Sequence, residues 1–139
     1  MPKKEIAQGY VEVPHRADVA IKVWSGNLEG LFVESARGLY TMMGVHKSNE
    51  GNISRTIDLN ESDHETLLIR FLNELIYDVQ LRSVLYEELN IQVQKNRLWG
   101  ELKGDKTSGF VREIKAATYH ECKILQTGAG YETMIVFDI

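Results

Sequence analysis

Only one cysteine, Cys122, occurs in this chain of 139 residues, so an internal disulfide is excluded. Such sparing use of cysteine is typical of a reducing interior. Clusters of Lys and Arg are also missing: 16 basic and 20 acidic residues give a net charge of -4. Because phosphate binding needs clustered basic side chains, the composition argues against a protein that binds nucleic acid through its own surface.

Long apolar runs are absent as well. None follows residues 1–4, which argues against a signal peptide, and none approaches the length that spans a bilayer. We therefore expect a cytoplasmic protein. Internal repeats and linkers are lacking too, so residues 1–139 are predicted to form a single domain, loosely ordered at residues 1–9.

One segment, about Leu28 to Met43, has the periodicity of an amphipathic helix. Asn27 before it is a suitable N-cap, and Gly44 after it is a suitable stop. The pattern therefore predicts a first helix with both of its ends marked.

A second helix is predicted from about Asp63 to Leu81. Ser62 and Glu65 have the spacing of a capping box at its start. The face opposite its apolar stripe is interpreted as solvated surface and carries Arg70, Asn73, Glu74 and Asp78.

Alternating apolar residues predict the strands. They fall at Tyr10–Val13, Val19–Trp24, Ile53–Leu59, Leu89–Gln94, Leu98–Lys103, Arg112–Leu125 and 134–139. Residues 104–109 are interpreted as a polar loop, and Asn96 as the positive-φ residue of a turn. Together these elements predict an α+β, two-layer fold with two main helices packed on a mostly antiparallel β-sheet.

The last six residues are apolar to the end, whereas chain ends are usually polar and frayed. We therefore expect a terminal strand clamped into a sheet, with Met134, Val136 and Asp138 on one face. Asp138 is then followed at once by the α-carboxylate of Ile139. Two adjacent anionic groups repel each other, so either a hard cation lies between them or Asp138 is a solvated charge at the sheet rim.

Asp18, at the start of another predicted strand, is the candidate for a third carboxylate. If the two strands are neighbours, the oxygens of Asp18, Asp138 and Ile139 converge on Ca²⁺ or another hard divalent ion. His15 precedes Asp18 by three residues, and such a pair can serve as base and orienter. No nucleophile in a recognisable elbow accompanies them, so no catalytic residue is assigned.

Five further residues have side chains that can carry chemistry. His120 and Cys122 lie in an apolar row, which favours a neutral core histidine and a small buried hydrophobe. Lys106, Glu113 and Lys115 bracket the predicted 104–109 loop and the strand after it. They are interpreted either as surface charges or as a polar patch that a partner recognises.

Three ordered blocks resemble the archease family. His15 to Ile21 resembles its H-x-A-D opening, Ile114 to Glu121 is similar to its K-A-x-T-Y-H strand, and Val136 to Ile139 is similar to its hydrophobic-D-[IV] ending. The two predicted helices fall between the blocks, as they do in the family. The resemblance therefore covers nearly the whole chain.

This resemblance implies the archease fold and a protein that is not itself an enzyme. Archeases are protein cofactors of the RNA ligase RtcB, which joins 3′-phosphate or cyclic-phosphate ends to 5′-hydroxyl ends in tRNA splicing and RNA repair. They promote guanylylation of the ligase and its multiple turnover, and broaden its nucleotide use. RNA and nucleotide are then met only through the ligase, and no membrane is involved.

The resemblance also implies roles for particular residues. It implies a divalent metal ion, Ca²⁺ in the first place, bound by Asp18, Asp138 and Ile139. The residues implied in activation or partner contact are Glu113, Lys106, Lys115 and His15. It assigns no role to His120 or Glu121.

Two other functions remain open. One is an autonomous metal-dependent hydrolase or nucleotide-processing enzyme that uses Asp18, His15 and Asp138. The other is a small-ligand-binding or chaperone module, which the apolar helix faces also permit.

Overall fold

The structure is a computed structural model that describes residues 8–13 and 18–139. Most of the predicted loosely ordered start, residues 1–7, thus lies outside the described residues. The elements are β1 (Gly9–Val13), β2 (Val19–Ser25), α1 (Leu28–Met43), β3 (His46–Lys47), β4 (Ile53–Asn60), α2 (His64–Arg82), β5 (Val84–Gln94), β6 (Arg97–Gly109), β7 (Ala116–Thr118), β8 (Leu125–Thr127) and β9 (Gly130–Asp138). All of their strand pairings are antiparallel, so the α+β class with two main helices is confirmed.

The strands divide into two sheets. The first has the order β1-β2-β9-β7, with β8 also paired to β9, and the second is built around β6, which pairs with β3, β4 and β5. Both helices contact strands of both sheets, because α1 packs on β2 and β5 while α2 packs on β7 and β5. The rings of Phe32 and Phe71 lie 6.1 Å apart where the helices meet, within one hydrophobic cluster. Neither helix is long and apolar enough to cross a membrane, as far as the structure describes the chain.

Local signals set the ends of α1 as predicted. The side chain of Asn27 accepts a hydrogen bond from the amide of Gly30 at 2.7 Å, which satisfies one free donor of the first turn. Gly44 ends the helix in the left-handed conformation, with φ of 62°, where glycine is favoured.

The predicted capping box of α2 is wrong. Asp63, not Ser62, is the N-cap, and its carboxylate accepts from the amide of Thr66 at 2.7 Å. That backbone hydrogen bond lowers the pKa of Asp63. Glu65 instead accepts from the amide of Ile124 at 2.9 Å, because a partner distant in sequence is available to it.

The polar face of α2 is only partly solvated, which corrects the interpretation from sequence. Asp78 is 1% exposed and accepts from Tyr86 Oη at 2.7 Å and from Arg55 Nη1 at 2.9 Å. Arg55, the residue that interrupts the apolar alternation of β4, is thus the counter-ion of the buried Asp78. It also pairs with Glu74. Burial and the neighbouring carboxylate raise the pKa of Tyr86.

Two predictions in the second half of the chain are also wrong. Residues 104–109 belong to β6, and Gly104 is needed there because a Cβ would lie 1.8 Å from the carbonyl oxygen of Leu85. The β5–β6 turn places its positive φ at Lys95 (54°), not at Asn96.

The long strand predicted from Arg112 to Leu125 is not formed. Only Ala116–Thr118 and the strand that begins at Leu125 are extended, and between them Glu121 adopts a φ of 60°. Charges of alternating sign give the sequence pattern that is typical of an exposed strand face, although the chain turns there. In consequence the side chain of His120 is 63% exposed, so the predicted core histidine is wrong.

Candidate metal centre

The last strand, β9, lies inside the first sheet, between β2 and β7. Ile135 and Phe137 are fully buried on the face toward the core, and Asp138 is exposed at the strand's end. The predicted clamping of the terminal strand is therefore confirmed, and Val136, which lies between Ile135 and Phe137, is buried as well. This position places Asp138 between two neighbouring strands.

The register of β2 against β9 sets the position of Asp18. Val19, the first residue of β2, pairs with Phe137, so Asp18 immediately precedes and Asp138 immediately follows the last residue pair of this ladder. Both aspartates are thus brought to the same end of the two neighbouring strands. On the other side of Asp138, Ala116 of β7 is its paired residue. The carboxylate row is the set formed by Asp18, Asp138 and Ala116 at this end of the sheet.

A third carboxylate is predicted at the end of this row. Ile139 follows Asp138 and is 48% exposed, and the amide of Lys115 donates to the carbonyl oxygen of Asp138 at 2.8 Å. The predicted donors of Asp18, Asp138 and Ile139 are all oxygens. Such a set fits a hard divalent cation, of which Ca²⁺ accepts the most varied geometry.

Clusters made of side chains alone do not provide an alternative centre. Across residues 8–13 and 18–139, no three His, Cys, Asp or Glu side chains form a group able to hold a metal ion. The predicted centre is of another kind, since it combines two side chains with one main-chain carboxylate.

Two of the predicted activation residues flank the row. Glu113 and Lys115 are exposed on either side of Ile114, which is fully buried. Both therefore point outward from the segment that leads into β7. Their opposite charges lie next to the strand that pairs with Asp138.

Lys106 lies in the other sheet, on β6, and its side chain is exposed. Its neighbour Thr107 donates from its amide to Ser83 at 2.8 Å, and Gln80 donates to the carbonyl oxygen of Ile114 at 2.5 Å. Both the Lys106 region and the segment near Glu113 are thus held to the C-terminal end of α2. His15, the remaining predicted residue, lies outside the described residues.

The backbone beside Lys106 is ordered by a buried carboxylate. Asp105 is 7% exposed and accepts from the amides of Lys106 at 2.7 Å and Gly51 at 2.8 Å. Burial by itself raises the pKa of Asp105, but the hydrogen bonds from backbone amides outweigh it and lower the pKa. Lys106 therefore projects from a fixed strand and not from the loop that its sequence indicated.

Cys122 is 8% exposed, and burial raises the pKa of its thiol. A thiolate is the nucleophilic form of cysteine, so this environment opposes reactivity. The prediction of a small buried hydrophobe is confirmed.

Two residues near the row were missed from sequence. Asn73 and Gln80 hydrogen-bond the backbone of Ala117 and Ile114, on either side of Lys115 and Ala116. The available signal was their spacing of seven residues, which sets two side-chain amides on one face of a helix.

Comparison with known proteins finds similar proteins over nearly the whole chain. The model of the archease protein family matches residues 10–139. An archease of Archaeoglobus fulgidus is 30% identical over 137 residues, covering 94% of this chain and 98% of that protein. An archease of Methanosarcina barkeri is 28% identical over 139 residues, covering 94% and 95%.

Two solved structures have the same fold. The crystal structure of a Thermotoga maritima archease, described as a possible chaperone, superposes with a TM-score of 0.71 at 22% identity and covers 100% of this chain and 98% of that one. The solution structure of a Methanobacterium thermoautotrophicum protein gives 0.71 at 18% identity, covering 94% and 99%. At these identities the likeness shows the fold alone.

Proposed function

Because the chain belongs to the archease family, we propose that it is a protein cofactor of an RtcB-type RNA ligase in tRNA splicing and RNA repair. In this role it is not an enzyme. It promotes guanylylation of the ligase's active-site histidine, which restores multiple turnover. It works in the cytoplasm with the ligase, and it meets nucleotide and RNA only through that partner.

The observation that carries this proposal is the row that contains Asp18 and Asp138. The two residues are 120 positions apart in sequence, yet the pairing of Val19 with Phe137 brings them to the same end of the neighbouring strands β2 and β9. They are the two aspartates that the resemblance implies as ligands. An arrangement of this kind costs repulsion between like charges, which a bound cation removes.

The chemistry of the row suits a protein that acts on a partner's active site. Asp18, Asp138 and the carboxylate of Ile139 are the groups that would hold a divalent ion, Ca²⁺ in the first place. When bound, such an ion supplies a positive charge fixed in position, which stabilises developing negative charge in a site that excludes water. The chain's own residues hold that charge at the end of a rigid sheet.

Residues around the row would contact the partner. Glu113 and Lys115 are exposed beside it, and Lys106 is exposed on β6, next to the residue that is held to the C-terminal end of α2. His15 precedes Asp18 in sequence. The net charge of -4 supports contact with a protein, since RNA binding favours clustered basic residues.

Ligation by limiting amounts of the purified cognate ligase tests the proposal. Ligase alone is expected to stop after about one turnover, and addition of this protein is expected to give many turnovers and faster guanylylation. Absence of both binding and stimulation would overturn the proposal. Hydrolysis of nucleotides or phosphoesters by this protein alone, with divalent ions, would favour the autonomous enzyme instead.

A further inference from the structure

Two side-chain amides of α2 hold the segment that borders the candidate metal centre. Asn73 and Gln80 are seven residues apart, which is about two turns, so both project from one face of the helix. Asn73 Oδ1 accepts from the amide of Ala117 at 2.8 Å, and Asn73 Nδ2 donates to its carbonyl oxygen at 3.2 Å. Gln80 Nε2 donates to the carbonyl oxygen of Ile114 at 2.5 Å.

At the edge of the first sheet, the side chain of Asn73 makes the hydrogen bonds to β7 that a neighbouring strand would otherwise make. Ala117 is paired with Phe137, but both of its backbone polar groups bond to Asn73, so this pair exchanges no hydrogen bonds across the sheet. Ala117 is 4% exposed, and a buried backbone group without a partner is costly. Since β7 has only three residues, the amide of Asn73 is a large part of what fixes it.

The residues between the two anchored positions are those that contact Asp138. The amide of Lys115 donates to the carbonyl oxygen of Asp138 at 2.8 Å, and Ala116 pairs with Asp138. A shift of the 114–117 segment would therefore displace the strand end that carries Asp138. Helix α2 is thereby coupled to the carboxylate row without touching it.

We infer that Asn73 and Gln80 are positioning residues of the metal centre: their hydrogen bonds to Ala117 and Ile114 hold the segment that borders the strand end carrying Asp138. This inference rests on the proposed function, because it concerns the same centre. Carboxylate ligands of Ca²⁺ lie within about 2.3–2.6 Å of the ion, so small displacements of a ligand weaken binding. Partners behind the ligands of a metal typically change its affinity by about 10–100-fold.

Titration with Ca²⁺ alone, followed by calorimetry, tests this role. Asn73→Ala and Gln80→Ala are each expected to weaken Ca²⁺ binding about tenfold. Asn73→Asp keeps the acceptor for the amide of Ala117 but loses the donor to its carbonyl oxygen, so an intermediate loss is expected.

Tyr86→Phe is the matched control. It removes a hydrogen bond of 2.7 Å that also ties α2 to a sheet, but that sheet is the second one, away from Asp138. It is expected to lower Tm like the other variants and to leave Ca²⁺ affinity unchanged.

Hydrogen–deuterium exchange in EDTA gives a second readout that does not need the ion. Exchange of residues 134–139 is expected to quicken in Asn73→Ala and Gln80→Ala but not in Tyr86→Phe. If Asn73→Ala does not fold, Gln80→Ala and Asn73→Asp carry the test.

Ca²⁺ affinity and exchange that match the wild type in the Asn73 and Gln80 variants would overturn the inference and leave the metal centre standing. A wild-type protein that binds no Ca²⁺ would overturn the metal centre itself, together with its positioning residues. The two failures are thus distinguishable.

Discussion

Replacement of Asp138 by Asn should change stability in opposite directions with and without a divalent cation. The substitution keeps the size of the side chain and removes its charge. Asp138 is exposed, Asp18 lies at the same end of the neighbouring strand, and the predicted site also includes the carboxylate of Ile139. Without a cation the wild-type row therefore contains like charges at close range, and the variant relieves them.

The repulsion energy that the substitution removes follows from Coulomb's law. Two like charges about 5 Å apart repel by about 0.8 kcal/mol in bulk water and by about 3 kcal/mol at an effective dielectric constant of about 20. The exposure of Asp138 favours the lower value. We expect Asp138→Asn to raise the free energy of unfolding in EDTA by about 1 kcal/mol at low salt, and by less at high salt because of screening.

Saturation with Ca²⁺ should reverse the order. A ligand that binds only the folded state stabilises it by about 2.7 kcal/mol at 100 times its Kd. The wild type should gain about that amount, whereas Asp138→Asn should gain little. The variant is therefore expected to be the more stable protein in EDTA and the less stable one in Ca²⁺.

Urea denaturation of both proteins, in EDTA and in Ca²⁺, measures these differences. Glu132→Gln is the control, because Glu132 lies on the same strand and the same face but six residues from Asp138. It should change neither the free energy of unfolding in EDTA nor the stabilisation by Ca²⁺ appreciably. Equal stabilisation of wild type and Asp138→Asn by Ca²⁺, with no gain for the variant in EDTA, would refute the reasoning.

Three further predictions concern the framework of the site. Arg55→Met should lower the free energy of unfolding by up to about 3–5 kcal/mol in urea denaturation, because it leaves buried Asp78 with only the more distant Arg82, at 3.7 Å, as a cation; a loss below about 1 kcal/mol would contradict the buried pair. The pKa of Asp105 is lowered in the folded state, so its contribution to stability is present above about pH 4 and is lost as pH falls further. Acid titration of Asp105→Asn should accordingly show a smaller fall in stability below about pH 4 than the wild type, and identical curves would argue against this carboxylate. Gly104→Ala should cost about 1–3 kcal/mol or more, since a Cβ would lie 1.8 Å from the carbonyl oxygen of Leu85, and an unchanged melting temperature would contradict this close approach of strands.

The elements that were predictable from sequence are those whose signals are local. Asn27 and Gly44 mark both ends of α1 through hydrogen bonds and backbone conformation within a few residues. The apolar run at residues 134–137 likewise identified β9, because Ile135, Val136 and Phe137 are all buried. Such patterns depend on the segment alone.

Predictions failed where a distant partner decides the local structure. Glu65 does not cap α2, since the amide of Ile124 takes its carboxylate. Asp78 looks like a surface residue of the helix until Arg55 and Tyr86 are brought to it from other strands. Helical periodicity gives the face of a side chain but not what packs against that face.

The candidate centre shows both situations. The odd placement of Asp138 in an apolar row, followed by a terminal carboxylate, was visible in the sequence. That Asp18 comes to the same end of the sheet depends on β2 and β9 being neighbours, which only the topology supplies. Asn73 and Gln80 escaped notice because polar residues on a helix usually face solvent, and their partners are 44 and 34 positions away.

Guanylylation of the cognate ligase, measured with saturating amounts of this protein, tests the central claim most directly. Asp18→Asn and Asp138→Asn should lose most of the stimulation that the wild type gives, while Glu132→Gln should keep it. Full stimulation by either aspartate variant would contradict the claim that these carboxylates form the working site.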